Sequence, residues 1–212
     1  MEIKTDKIIQ LIKRAQELYS EEYLVVGIPT FLSKKFIAYC SMKVELELAM
    51  EYLKILKTKP DKTVQSALTY SLISLYGKCF TDASKHSNPK LEPNDLFRNK
   101  EEHLATHAFL MDIRHQFIAH RGESESETGI SYMLVKKDNV EERHVRISLL
   151  KQTSFSNEEL DRFEVLISFI LECLKDKIQV SGQKVYEGFL KLFTAEQLAK
   201  MIVNGVVDKV YD

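Results

Sequence analysis

Most of the chain repeats apolar residues every three or four positions, the spacing of amphipathic helices, and short stretches break the pattern. Ile8, Leu11, Ile12, Ala15 and Leu18 share one face of a helix that Asp6 can cap and that reaches about Ser20. Gly27 and Pro29 mark a loop, and a long helix is expected from about Phe31 to Lys57. Pro60-Asp61 ends that helix and caps the next, in which Val64, Leu68, Leu72, Leu75 and Cys79 recur at helical spacing. Pro89 and Pro93 make 85–99 a loop with room for one turn. A fourth helix is expected over about Lys100–Arg121. Its apolar stripe is Leu104, Ala108, Met111 and Ile118, with His115 in the same stripe, and Gly122 is a natural stop.

After the acidic run Glu123–Glu127 the period changes to two. Ile130–Lys136 and Arg143–Leu149 read as strands around the turn-like Lys137-Asp138-Asn139, a β-hairpin at about 129–150. Ser156-Asn157-Glu158-Glu159 is a capping box, and Leu160, Phe163, Ile167, Ile170 and Leu174 follow on one helical face. A last helix is expected after Thr194. No internal repeat is present. The pattern therefore predicts an all-α fold, a helical bundle with one small β-hairpin insertion, in a single domain over 1–212. Seven glycines and four prolines in 212 residues agree with a mostly helical chain.

Charge narrows the function. Thirty Lys and Arg balance 31 Asp and Glu, so broad electrostatic coating of nucleic acid is excluded, whereas gripping one phosphodiester needs only a few cations. Cys40, Cys79 and Cys173 lie far apart, which suggests a reducing compartment and no thiolate metal site. The first residues carry acids early and lack a signal-type apolar run. The most apolar window, Phe163–Leu174, is interrupted by Glu164 and Glu172 and is too short to span a bilayer. A soluble, cytoplasmic protein with no membrane partner is expected.

The chemistry concentrates in Arg114-His115-Gln116-Phe117-Ile118-Ala119-His120-Arg121. Four of the six histidines, His103, His107, His115 and His120, fall within eighteen residues. Imidazole moves protons near neutral pH and guanidinium grips phosphate, so the pairing points to phosphate-ester chemistry. Each residue also has a structural role open to it. His115 suits a packed position on an apolar stripe, and Arg121 suits the negative end of a helix dipole. His103 and His107, spaced i, i+4, share a face, but no carboxylate joins them as a zinc site would require, and Arg114 lies about 20° from His107 around the axis. No metal is expected there. No Gly-rich phosphate loop or GxSxG motif is present, and Cys79 has no local histidine partner.

Six steps along an ideal helix leave Arg114 and His120 about 120° apart. They converge on one phosphate only if the helix ends or kinks near Ala119, or if a second subunit supplies its own copy. Such a composite site could cleave RNA without a metal or cofactor. A histidine takes the ribose 2′-hydroxyl proton, an acid protonates the leaving 5′-oxygen, and arginine stabilises the charge on phosphorus-bound oxygens.

Asp112-Ile113-Arg114-His115-Gln116-Phe117-Ile118-Ala119-His120-Arg121 resembles the signature of the HEPN superfamily, an arginine, a polar residue and a short spacer to histidine in an all-helical bundle. The wording is especially similar to that of stand-alone, abortive-infection-type bacterial members. The resemblance covers about ten residues. It implies a helical homodimer with metal-independent endoribonuclease activity, often in toxin or phage-defence settings. By carry-over, Arg114 and His120 would be catalytic and His115 a supporting polar residue; Arg121 and His107 are separate candidates for a substrate or structural contact. RNA and an antitoxin protein would be the further partners. Toxins of this superfamily paired with nucleotidyltransferase antitoxins often carry a tyrosine where Gly122 stands, so the resemblance does not extend to that mode of regulation. The superfamily also includes members that only bind, which leaves a non-catalytic RNA- or protein-binding dimer as the alternative.

Overall fold

The computed structural model describes residues 2–19, 22–23, 25–82, 88–115, 127–151, 154–194 and 196–197. The elements are α1 (Glu2–Tyr19), α2 (Thr30–Lys57), α3 (Lys62–Lys78), α4 (Pro93–Leu96), α5 (Glu101–Ile113), β1 (Glu127–Lys136), β2 (Asn139–Lys151) and α6 (Asn157–Leu192). The protein is thus mostly helical with one two-stranded antiparallel sheet, as the hydrophobic pattern predicts. Packing divides the chain into two compact units, Met1–Ala38 with Lys177–Asp212, and Tyr39–Asp176. Both boundaries fall inside a helix.

The 39–176 unit holds the main core. Met42, Leu46, Ala49, Leu53 and Leu56 of α2 meet Leu72, Ile73 and Tyr76 of α3, Leu110 and Ile113 of α5, and the buried stripe of α6. That α6 stripe is the expected one: Leu160, Phe163, Ile167, Ile170 and Leu174 are all buried, joined by Leu166. Two caps that the sequence announces set where these helices start. Asp61 Oδ1 accepts from the backbone N–H of Thr63 at 3.0 Å and of Val64 at 3.2 Å, which opens α3. At α6, Ser156 Oγ accepts from the Glu159 N–H at 3.2 Å while Glu159 Oε2 accepts from the Ser156 N–H at 2.7 Å. Ser156→Ala is expected to cost about 1 kcal/mol of stability, measured by urea unfolding. Lys57, ending α2, bonds Asp161 at 2.6 Å and also Glu164, so it closes the end of α2 against the first turns of α6. Both carboxylates raise the lysine's pKa, the Asp161 hydrogen bond most.

In the other unit, α6 presents Gly182 and Gly188 to α2. A Cβ on either would come within 3.2 Å of Phe36 or Leu32, so the missing side chains let the helices approach. A further capping pair, Thr194 with Gln197, follows α6 at the point where the sequence predicts a new helix.

Three expectations need correction. The first helix starts at Glu2, so Asp6 lies within it and does not cap it. On the expected face of α1, Leu11 and Leu18 are exposed, with Ile12 and Ala15 half-buried. The fourth helix is α-helical over Glu101–Ile113 and passes into a π-type turn at Arg114 and His115, and residues 116–121 of its expected span lie outside the described residues. Its core face also differs. His107, Leu110 and Ile113 are buried, whereas Leu104, Ala108 and His115 of the expected stripe are exposed. Apolar residues occur on several faces of α5, so periodicity alone could not choose among them. An aromatic pocket that accepts His107 made the choice.

Candidate functional site

Arg114 and His115 continue α5 in a π-type turn. Arg114 closes the regular helix, its N–H reaching the carbonyls of Leu110 and Met111. A π-type turn departs from ideal α-helical geometry. Such turns occur often at functional sites. His120, Arg121 and Ala119 lie outside the described residues. His115 is exposed rather than packed, so its side chain is open to solvent one residue beyond Arg114.

Arg114 itself is half-buried, and its seat is cut into α3. A Cβ built on Gly77 would lie 2.0 Å from Arg114 Cδ and 2.6 Å from Nε. No real carbon tolerates such an approach. Gly77 lies in the last turn of α3 and is buried, so its role is space. The stem of Arg114 crosses the helix where a side chain would otherwise stand.

Two turns before Arg114, on the same face of α5, His107 is held by the residue next to Gly77. Tyr76 Oη and His107 Nδ1 are 2.8 Å apart. The imidazole also packs on Phe80 and Phe97, at 4.4 and 5.3 Å between ring centroids. Burial in this pocket pushes the His107 pKa down to about 4 and raises that of the Tyr76 phenol. The phenol therefore keeps its proton at neutral pH and can donate it to an uncharged imidazole. His107, expected as a substrate or structural contact, is buried and hydrogen-bonded to Tyr76. A neutral, enclosed ring is poorly suited to act as a general acid at pH 7.

His103 shares the face of His107, as the i, i+4 spacing implies, and its ring lies 4.8 Å from that of Phe169. Both rings are thus engaged with aromatic neighbours. No group of three or more His, Cys, Asp or Glu among the described residues is arranged to hold a metal. Cys79 is buried in the same region; desolvation, assisted by Glu45, pushes its thiol up to about 12, so Cys79 itself stays a thiol at neutral pH. A groove of about 610 Å³ runs between α5 and the start of α6, lined by His103, Phe109 and Arg162 among others, and does not include Arg114. Two of its carboxylates are already engaged, Asp161 with Lys57 and Glu159 with Ser156.

Sequence reasoning found Arg114 but missed Gly77 and Tyr76, the two residues of α3 that hold the Arg114 face of α5. One signal was present: a lone glycine inside a helical pattern costs stability and usually has a packing reason. Nothing in sequence spacing links position 77 to position 114. No family model, curated protein or solved structure matches this chain.

Proposed function

We propose that this protein is a metal-independent endoribonuclease of HEPN type, whose Arg114 and His120 act in a site completed by a second copy of the chain. Support comes from the geometry at Arg114. The arginine ends a regular helix at a π-type turn and lies in a cut-out provided by Gly77, beside an exposed His115. A guanidinium with a dedicated seat near the end of a helix suits a fixed grip on phosphate better than a freely solvated one does.

In this reading His120 removes the proton from a ribose 2′-hydroxyl. The oxygen attacks the adjacent phosphorus, the bond to the 5′-oxygen breaks, and an acid, the second copy's imidazolium, supplies the proton that oxygen needs. A 2′,3′-cyclic phosphate and a free 5′-hydroxyl result. Arg114 stabilises the charge on the non-bridging oxygens in the transition state. His115 is a supporting polar residue and Arg121 a substrate contact. No cofactor enters the chemistry. No helix among the described residues is long and apolar enough to cross a membrane. A cytoplasmic toxin or phage-defence role, with an antitoxin as partner, is the setting this activity fits.

Incubation of purified protein with cellular RNA in EDTA tests the proposal. Fragments ending in cyclic phosphate are expected, and His120→Ala should slow their appearance by at least about 100-fold. Equal cleavage by wild type and His120→Ala would falsify the assignment, and so would no cleavage of any RNA by either protein. Retained RNA binding without cleavage would instead favour the binding-module alternative.

A further inference from the structure

The hairpin is built like half of an interface. β1 and β2 are ten and thirteen residues long and pair antiparallel in the register Gly129↔Leu149, Ser131↔Ile147, Met133↔Val145 and Val135↔Arg143. Cross-strand partners point to the same face, and alternate residues to opposite faces. One face therefore carries Met133, Val135, Val145, Ile147 and Leu149, with relative exposures of 56, 45, 72, 65 and 57%, together with Gly129, Ser131 and, opposite Val135, Arg143. Leu149 also leans across the ladder, because a Cβ on Gly129 would meet its Cδ2 at 2.6 Å. The opposite face mixes Ile130, Tyr132 and Leu134 with His144, Arg146 and Ser148. A two-stranded hairpin is marginal in water unless its apolar face is covered, and the apolar side chains of this one are exposed.

We propose that this apolar face is where a second copy of the chain docks, in a two-fold arrangement of hairpin on hairpin. Area supports that occupant. The five side chains expose on the order of 500 Å², so two copies face to face would remove about 1,000 Å² from water, the threshold for a specific interface. The patch of Met133, Val145, Ile147 and Leu149, which encloses the small Ser131, can pack against its own copy, as a two-fold contact requires. The opposite face carries Arg146 in mid-ladder against Tyr132 and His144 against Leu134, whereas Arg143 on the proposed face stands at the turn end, beyond Met133 and Val145. The hairpin begins at Glu127, twelve residues after His115, so docking here would carry both copies of the Arg114 segment into one assembly. This dimer stands without the ribonuclease proposal, which needs a second copy but does not say which surface holds it.

Sedimentation equilibrium of the full chain, without RNA, tests it. The wild type is expected at twice the 24.6 kDa of one chain across the micromolar range. The double variant Val145→Lys, Ile147→Lys is expected at the single-chain mass with unchanged helical circular dichroism, since both positions face solvent in one chain. Ile130→Lys, equally exposed but on the other face, is expected to stay dimeric. If the lysines disturb the strand, Val145→Thr with Ile147→Thr keeps β-favouring residues and should raise the dimer Kd by about tenfold or more. A wild type of single-chain mass, with or without binding to lipid vesicles, overturns the proposal. A dimer that survives the face variants does too, as does one that Ile130→Lys dissociates equally well. Absence of RNA cleavage would leave these masses unaffected.

Discussion

Gly77→Ala is expected to reduce RNA cleavage about as far as Arg114→Ala does, on the order of 100-fold, while the helices stay folded. The new methyl would occupy the place of Arg114 Cδ, only 2.0 Å away, so the arginine stem must swing off α3 and its guanidinium with it. A second measurement reads the same contact without any assumption about RNA. In the wild-type background Gly77→Ala should destabilise by about 1–3 kcal/mol, the usual cost of overpacking. In an Arg114→Ala background the obstacle is gone. The substitution should then be neutral or stabilising by up to about 1 kcal/mol, because alanine is the better helix former. A double-mutant cycle in urea gives the coupling directly. The same shift in both backgrounds would show that Gly77 is not a seat for Arg114, whatever the protein does to RNA. Full coupling with no nuclease activity would keep the seat and remove the catalytic role.

Mild acid is expected to weaken the fold through His107. Its folded pKa is about 4, against an ordinary value of 6.5 in the unfolded chain. Below pH 6.5 the unfolded state takes up a proton that the folded state refuses, so stability falls as pH drops from 6.5 towards 4. Below about pH 4 both states are protonated and this contribution levels off. At about 1.4 kcal/mol per pKa unit the full loss is about 3 kcal/mol. Urea unfolding at a series of pH values should show this slope in the wild type and not in His107→Phe. The variant also strands the Tyr76 hydroxyl, at about 1–3 kcal/mol, so the slopes rather than the absolute stabilities carry the comparison. An identical slope in His107→Phe would place the acid sensitivity elsewhere.

Legibility in the sequence followed the range of the interactions. Capping boxes need only residues three apart, and Ser156 with Glu159 opens α6 as its sequence announces. The α6 stripe from Leu160 to Leu174 was readable because its five apolar residues keep one helical face without a competitor. The hairpin came from the change of period, and the turn at Lys137-Asp138 lies where expected, although β1 starts earlier and β2 runs longer at both ends. On α5 the same method failed. Several faces carry apolar residues, and the one that packs was chosen by a hydrogen bond from another helix, Tyr76 to His107. A buried histidine looks polar in any local pattern, so the stripe through Leu104, Ala108, Met111 and His115 was the natural choice, and of these four Met111 alone packs against the core.

The candidate site divides along the same line. The sequence by itself determined the helical class, the place of the hairpin, most helix starts and the chemical promise of Arg114 beside its histidines. Those features depend on period, capping and residue type, all of which act within a few positions of the chain. Only the tertiary structure decided that Arg114 lies over Gly77, that His107 is neutral and enclosed, and that His115 faces solvent. Each of these depends on which helix packs against α5, and in the first two cases the partner is more than thirty positions away in the sequence. Steric exclusion and desolvation act through space, and no local pattern records them.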